Sequence, residues 1–123
     1  MIIWEGATKF RTKAHKKART IQAILTGYKL GQSSRNGKTG PVVQLHILDK
    51  ESNPVEAQLS GHDQAVCGTC LSRHAVGGFC YVKTARAELS TWRSHKDQPV
   101  KFNAVEIMSR MGLRLGAYGD PAM

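Results

Sequence analysis

The sequence predicts an α+β fold: a small antiparallel sheet with one or two short helices and a cysteine-rich metal knuckle in one connection. Three observations predict it. Two runs rich in β-formers flank a Gly/Asn turn segment, helical spacing follows near residue 89, and all three cysteines fall between positions 67 and 80. At 123 residues the chain fits one domain, 1–123. Its 41% hydrophobic and 22% charged content is that of a globular protein.

Residues 8–40 are expected to form a basic arm, a strand and a loop. Residues 8–19 carry mainly positive charge and predict an arm or short helix. Thr20 to Tyr28 alternates in part and reaches Gly27, which suits a strand. Gly31 to Gly40 contains Asn36-Gly37, a strong turn signal, and so predicts a long basic hairpin loop. Pro41 to Leu48 is the best strand of the chain, with Val43, Leu45 and Ile47 alternating against Val42, Gln44 and His46.

Asn53-Pro54 marks a boundary, because a residue preceding proline is pushed out of the helical region. Val55 to Leu59 then predicts a short helix stopped near Gly61. The cysteine segment 62–80, with Gly68, Gly77 and Gly78, predicts a loop or knuckle. Ala85 to Lys96 predicts a helix, with Leu89 and Trp92 on one face. Pro99 opens another segment, and Gly112 to Tyr118 alternates like a strand.

Charge is distributed unevenly. The net charge is +9, and residues 1–40 hold nine Lys and Arg against Glu5 alone, a local excess of eight. Residues 41–123 hold nine basic and eight acidic groups. Such asymmetry implies an anionic partner near the N-terminal third, nucleic acid being the commonest. A solvated face serving solubility is the plainer alternative. Lys13, Lys16, Lys17, Arg19, Arg35 and Lys38 are the candidate contacts to nucleic acid or to a host nucleoprotein complex. Trp4, Phe10 and Tyr28 interleave with this charge, as base-stacking aromatics do. No apolar run reaches a membrane-spanning length and the N-terminus has no signal-peptide pattern, so the expectation is a cytoplasmic protein with no membrane partner.

An odd cysteine count containing Cys67-Gly-Thr-Cys70 fits a secreted disulfide framework poorly and metal ligation better. The CxxC turn lets two thiolates face one ion, and Cys80 can close over it. Structural zinc would take His74 as fourth ligand in preference to His62. Three cysteines alone would instead suit an iron–sulfur cluster with one open iron. A metal-free CxxC or a redox dithiol is the remaining alternative. Gly37-Lys38-Thr39 does not make a phosphate loop: Gln32 stands where the pattern needs glycine, and a strand follows where it needs a helix. Five scattered histidines and no carboxylate pair at helical spacing leave no catalytic constellation, and His46 and Trp92 are read as structural.

Four ordered segments carry a resemblance: Lys38 to Leu48 (KTGPVVQLHIL), Asn53 to Ala57, Cys67-Gly-Thr-Cys70 running on to Gly77-Gly-Phe-Cys80-Tyr-Val82, and Leu113 to Pro121 (LRLGAYGDP). Together they resemble a family of uncharacterised phage proteins. The resemblance implies a phage or prophage origin and a shared metal at Cys67, Cys70 and Cys80, with no established activity. Members of that family run past the Gly-Asp-Pro segment, and the basic stretch between Gly6 and Thr20 is unlike their usual start. This chain is therefore expected to be a shortened, recharged portion, a binder rather than a catalyst. An anti-defence inhibitor of a host complex, of the anti-CRISPR type, and an iron–sulfur enzyme or a truncated remnant of one are the other two expectations.

Overall fold

The computed structural model describes residues 1–10, 17–28, 42–101 and 113–119. Its centre is a four-stranded sheet in the order β1-β2-β3-β4: β1 Ile2–Ala7, β2 Thr20–Thr26, β3 Val43–Asp49 and β4 Leu113–Tyr118. The first three strands are antiparallel neighbours, and β4 lies parallel to β3. The expected α+β class holds, as does the antiparallel pairing of β2 with β3; the strands expected in 20–28, 41–48 and 112–118 are found at Thr20–Thr26, Val43–Asp49 and Leu113–Tyr118, and the loop expected at 31–40 lies outside the described residues. Two features were not expected. Ile2–Ala7 adds an edge strand, and the long crossover from β3 makes the fourth strand parallel.

Among the described residues between β3 and β4 lie three short helices, α1 Pro54–Ser60, α2 Gln64–Cys67 and α3 Ala87–His95, with a 3-10 turn at His74–Val76. Helix α1 begins where Asn53-Pro54 demanded. Asn53 Oδ1 accepts from the amides of Val55 (3.1 Å) and Glu56 (3.0 Å), satisfying two donors that a helix start leaves open. Gly61 stops the helix in a left-handed conformation, φ +81°, which costs glycine little.

The central hairpin is buried on both faces. Register places Ile21, Ala23, Leu25, Leu45 and Ile47 on one face and Gln22, Ile24, His46 and Leu48 on the other, and all of these are buried. Alternation in the sequence therefore marked which side chains share a face, while both faces are interior. Helix α2 covers the first face: a Cβ added at Gly119 would lie 2.6 Å from Ile47 Cβ and 3.3 Å from Val66 O. Thr8 Oγ1 also donates to Ala65 O at 2.7 Å. Helix α3 covers the second: Gln22 Nε2 donates to Lys96 O at 2.9 Å, and Trp92 Nε1 to Asp49 O at 2.7 Å. Trp92 packs against the core, and His46 is buried with Nε2 3.1 Å from Thr26 Oγ1.

Ion pairs close the sheet's ends. Glu5 receives Lys50 Nζ at 2.8 Å and Gln22 Nε2 at 2.8 Å, and these bonds, the lysine's first, hold its carboxyl below the usual carboxylate range. Arg19, at the entry to β2, pairs with the buried carboxylate of Asp49 at the exit of β3 and donates to Ser52 Oγ at 2.7 Å. Breaking a buried pair leaves a charge without compensation. Arg19→Ala is therefore expected to lower the unfolding free energy by about 3 kcal/mol. Lys17→Ala, at an exposed neighbour, should stay within about 0.5 kcal/mol of wild type. Urea titration of the two variants distinguishes them.

Candidate functional site

The cysteine segment is organised around an ion pair. Asp63 and Arg73 are both buried, and Arg73 donates to Asp63 Oδ1 through Nη2 (2.6 Å) and Nε (3.1 Å). The same guanidinium reaches Gly61 O at 2.9 Å and Gly68 O at 3.4 Å. It therefore ties the end of α1, the turn after α2 and its own strand of loop to one centre. Arginine suits this task because its planar fork satisfies several acceptors at once. The loop then returns on itself. Gly78 N donates to Arg73 O at 2.9 Å, and a Cβ at Gly78 would lie 2.3 Å from Leu71 O and 2.4 Å from Ser72 C.

The CxxC turn forms, with Cys70 N donating to Cys67 O at 3.1 Å. Cys67 ends α2 half-buried, Cys80 is half-buried and Cys70 is exposed. Burial, then the Asp63 carboxylate, push the Cys67 thiol up to about 12, with smaller contributions from Cys80 and Cys70. The Tyr118 hydroxyl, brought in by β4, faces this thiol and opposes the shift, while its own ionisation is pushed up, first by burial. At neutral pH, Cys67 is thus a protonated, non-nucleophilic thiol in the absence of a cation. His74, the expected fourth ligand, sits exposed on the 3-10 turn. Among the described residues no three His, Cys, Asp or Glu side chains are grouped closely enough to hold a metal ion. The carboxylate beside Cys67 is already committed to Arg73.

Of the candidate basic contacts, Lys13, Lys16, Arg35 and Lys38 lie outside the described residues. Residues 8–10 and 17–19 form no helix; the intervening part of the arm is likewise outside. Lys17 is exposed. Arg19 is engaged by Asp49, Ser52 and, at 3.6 Å, Glu51, so a phosphate would compete with three partners for it. Lys17 and Arg19 share a small hollow with Phe10, Gly61, His62, Gln64 and Ala65, which joins the N-terminal charge to the start of the cysteine segment.

Sequence reasoning missed a second surface feature. From residue 79 to 84 burial alternates: Phe79, Tyr81 and Lys83 face solvent, whereas Cys80 and Val82 are half-buried and Thr84 is buried, donating to Gln58 Oε1 at 3.1 Å. Phe79 is 94% exposed and Tyr81 85%. Leu71 and Val76 of the same segment are exposed too. Between Asp63 and Glu88 there is no acidic residue, while Lys83 and Arg86 are exposed cations. The period of two in Phe79-Cys-Tyr-Val-Lys83 is the local signal for it, carried by the same residues as the third cysteine.

No helix among the described residues is long and apolar enough to cross a membrane. Comparison with protein families, with curated proteins and with solved structures found nothing that matches this chain.

The close approach at Gly78 predicts that Gly78→Ala loosens the loop, because backbone rather than a movable side chain stands in the way. An overpacking cost of about 2 kcal/mol is expected. The Cys80 thiol should then react faster with an alkylating reagent than in wild type, as followed by mass spectrometry. Unchanged alkylation would show that the return of the loop does not depend on this contact.

Proposed function

We propose that this chain is a small basic binding module whose partner is nucleic acid, bare or within a host nucleoprotein complex. One observation carries the reading: residues 1–40 hold nine basic side chains against one acidic. Charge concentrated this way raises the local potential toward polyanions, whereas the same charge dispersed would serve solubility alone. The hollow shared by Lys17, Arg19 and His62 supports it, because it lies at the junction of the basic arm and the cysteine segment. A phage or prophage origin belongs to the same proposal and rests on the four ordered motifs described above.

The test is the salt dependence of binding to a labelled oligonucleotide. Each phosphate neutralised releases condensed counterions, so affinity falls as a power of salt concentration. About four phosphate contacts to a single strand would weaken binding about fifty-fold between about 50 and 200 mM salt. Binding that is flat across this range would remove the phosphate contacts from the account.

Zinc held by Cys67, Cys70 and Cys80, with His74 as fourth ligand, is proposed on the strength of the ligand spacing. The electrostatic influence of Cys70 and Cys80 on the Cys67 thiol is consistent with three thiols in one neighbourhood. Closure of such a site would require His74 to turn in from its exposed position and Cys67 to ionise as the cation arrives. Native mass spectrometry with elemental analysis is expected to give one zinc per chain, lost together with thermal stability in Cys70→Ser. Iron with inorganic sulfide would replace zinc by a cluster. A metal-free protein with an unshifted melting temperature would leave the ion pair of Asp63 and Arg73 as the sole organiser of the loop.

A further inference from the structure

We propose that Phe79, Tyr81 and Lys83 form a strip on which single-stranded nucleic acid stacks. The inference deepens the nucleic-acid reading above and rests on it, but its residues are separate in the sequence from the basic arm. Its basis is the alternation of burial: every second side chain faces out, the pattern of an extended backbone, in which residues i and i+2 share one side about 7 Å apart. That spacing suits two successive unstacked bases, one on each ring. Large apolar side chains are seldom left this open, and two aromatic rings two residues apart at 94% and 85% exposure leave most of their surface to a ligand. Base–aromatic stacking uses such faces without regard to base identity.

Charge selects the occupant. No carboxylate lies between Asp63 and Glu88 in the sequence; Asp63 is neutralised by Arg73, and Glu88 is buried. Lys83 continues the strip as an exposed cation and Arg86 follows it, so along the chain the charge nearest the two rings is positive. A polyanion with exposed planar groups meets both requirements. Duplex DNA meets only one, because its bases are already stacked on each other. The strip is also supported from behind. Cys80 and Val82 turn inward, Val82 packs against the core, and Thr84 is anchored on Gln58, so the rings project from a fixed base. Binding to a fixed platform loses less conformational entropy than binding to a loose one.

The experiment measures fluorescence anisotropy of a labelled deoxythymidine oligomer and of a blunt duplex, with wild type, Phe79→Ala, Tyr81→Ala and Phe79→Trp. These side chains are exposed, so truncation leaves the fold intact, which circular dichroism checks. The expected result is preference for the single strand, about tenfold weaker binding for each alanine variant, and retained binding for Phe79→Trp. Tyr81→Trp should show quenched tryptophan fluorescence when the oligomer binds. If wild type binds the oligomer but both alanine variants bind equally well, the strip is refuted while the nucleic-acid reading stands. Equal affinity for strand and duplex also refutes it. If wild type binds neither probe at low salt, the nucleic-acid reading itself fails and takes the strip with it. Nuclease-resistant co-purification with a host protein, abolished in the alanine variants while oligomer binding is unchanged, would assign the rings to a protein partner instead.

Discussion

Burial of the β2–β3 hairpin on both faces is the constraint from which the rest of the structure follows. A small domain has little apolar surface to spend, and a sheet covered on one side only would leave half of its central strands in water. Here the long crossover between β3 and β4 supplies covers for both sides, α2 over Ile47 and α3 over Gln22. Those covers are short helices, marginal by themselves, and they hold because each is fastened to the sheet by side-chain bonds to backbone oxygen. Gln22 shows the consequence of closing both faces: it is wholly buried, its amide nitrogen serving Glu5 and Lys96.

The same constraint explains why charged residues sit where they do. A sheet interior that closes on both sides must neutralise whatever charge it captures, and the two most buried carboxylates, Asp49 and Asp63, each meet an arginine. Arg19 fastens the hairpin's end. Arg73 folds the cysteine segment around itself. With these two arginines committed to the fold, the exposed cations among the described residues, Lys9, Lys17, Lys83, Arg86, Arg93 and Lys101, carry the electrostatic character that a partner meets. The protein's positive charge therefore has a structural part and an exposed part, and the two are interleaved along the chain.

The cysteine segment illustrates how one motif can serve two demands. Its backbone path is set by Arg73, the CxxC turn and the return at Gly78. Its side chains divide by alternation, Cys80 and Val82 turning toward the protein while Phe79 and Tyr81 turn away. A loop shaped from within in this manner can present rigid aromatic groups without belonging to any helix or strand.

Much of this was determined by the sequence. Asn53-Pro54 and Gly61 fixed the limits of α1 through capping chemistry that depends on neighbours only a few residues away. The β-rich runs fixed β2, β3 and β4 for the same reason: propensity and alternation are local. The charge asymmetry is likewise a property of the chain itself. What only the tertiary structure decided depends on distant partners. Val43, Leu45 and Ile47 announced one buried face, but burial of Gln22, His46 and Leu48 on the other requires α3, which lies far along the chain. Ile2–Ala7 became a strand because β2 offered it an edge, and β4 became parallel because the crossover between it and β3 spans the sheet. Arg19 was expected to contact an anionic partner, and only the fold set Asp49 beside it, as it set Asp63 beside Arg73, since an ion pair's worth depends on burial that no local pattern encodes.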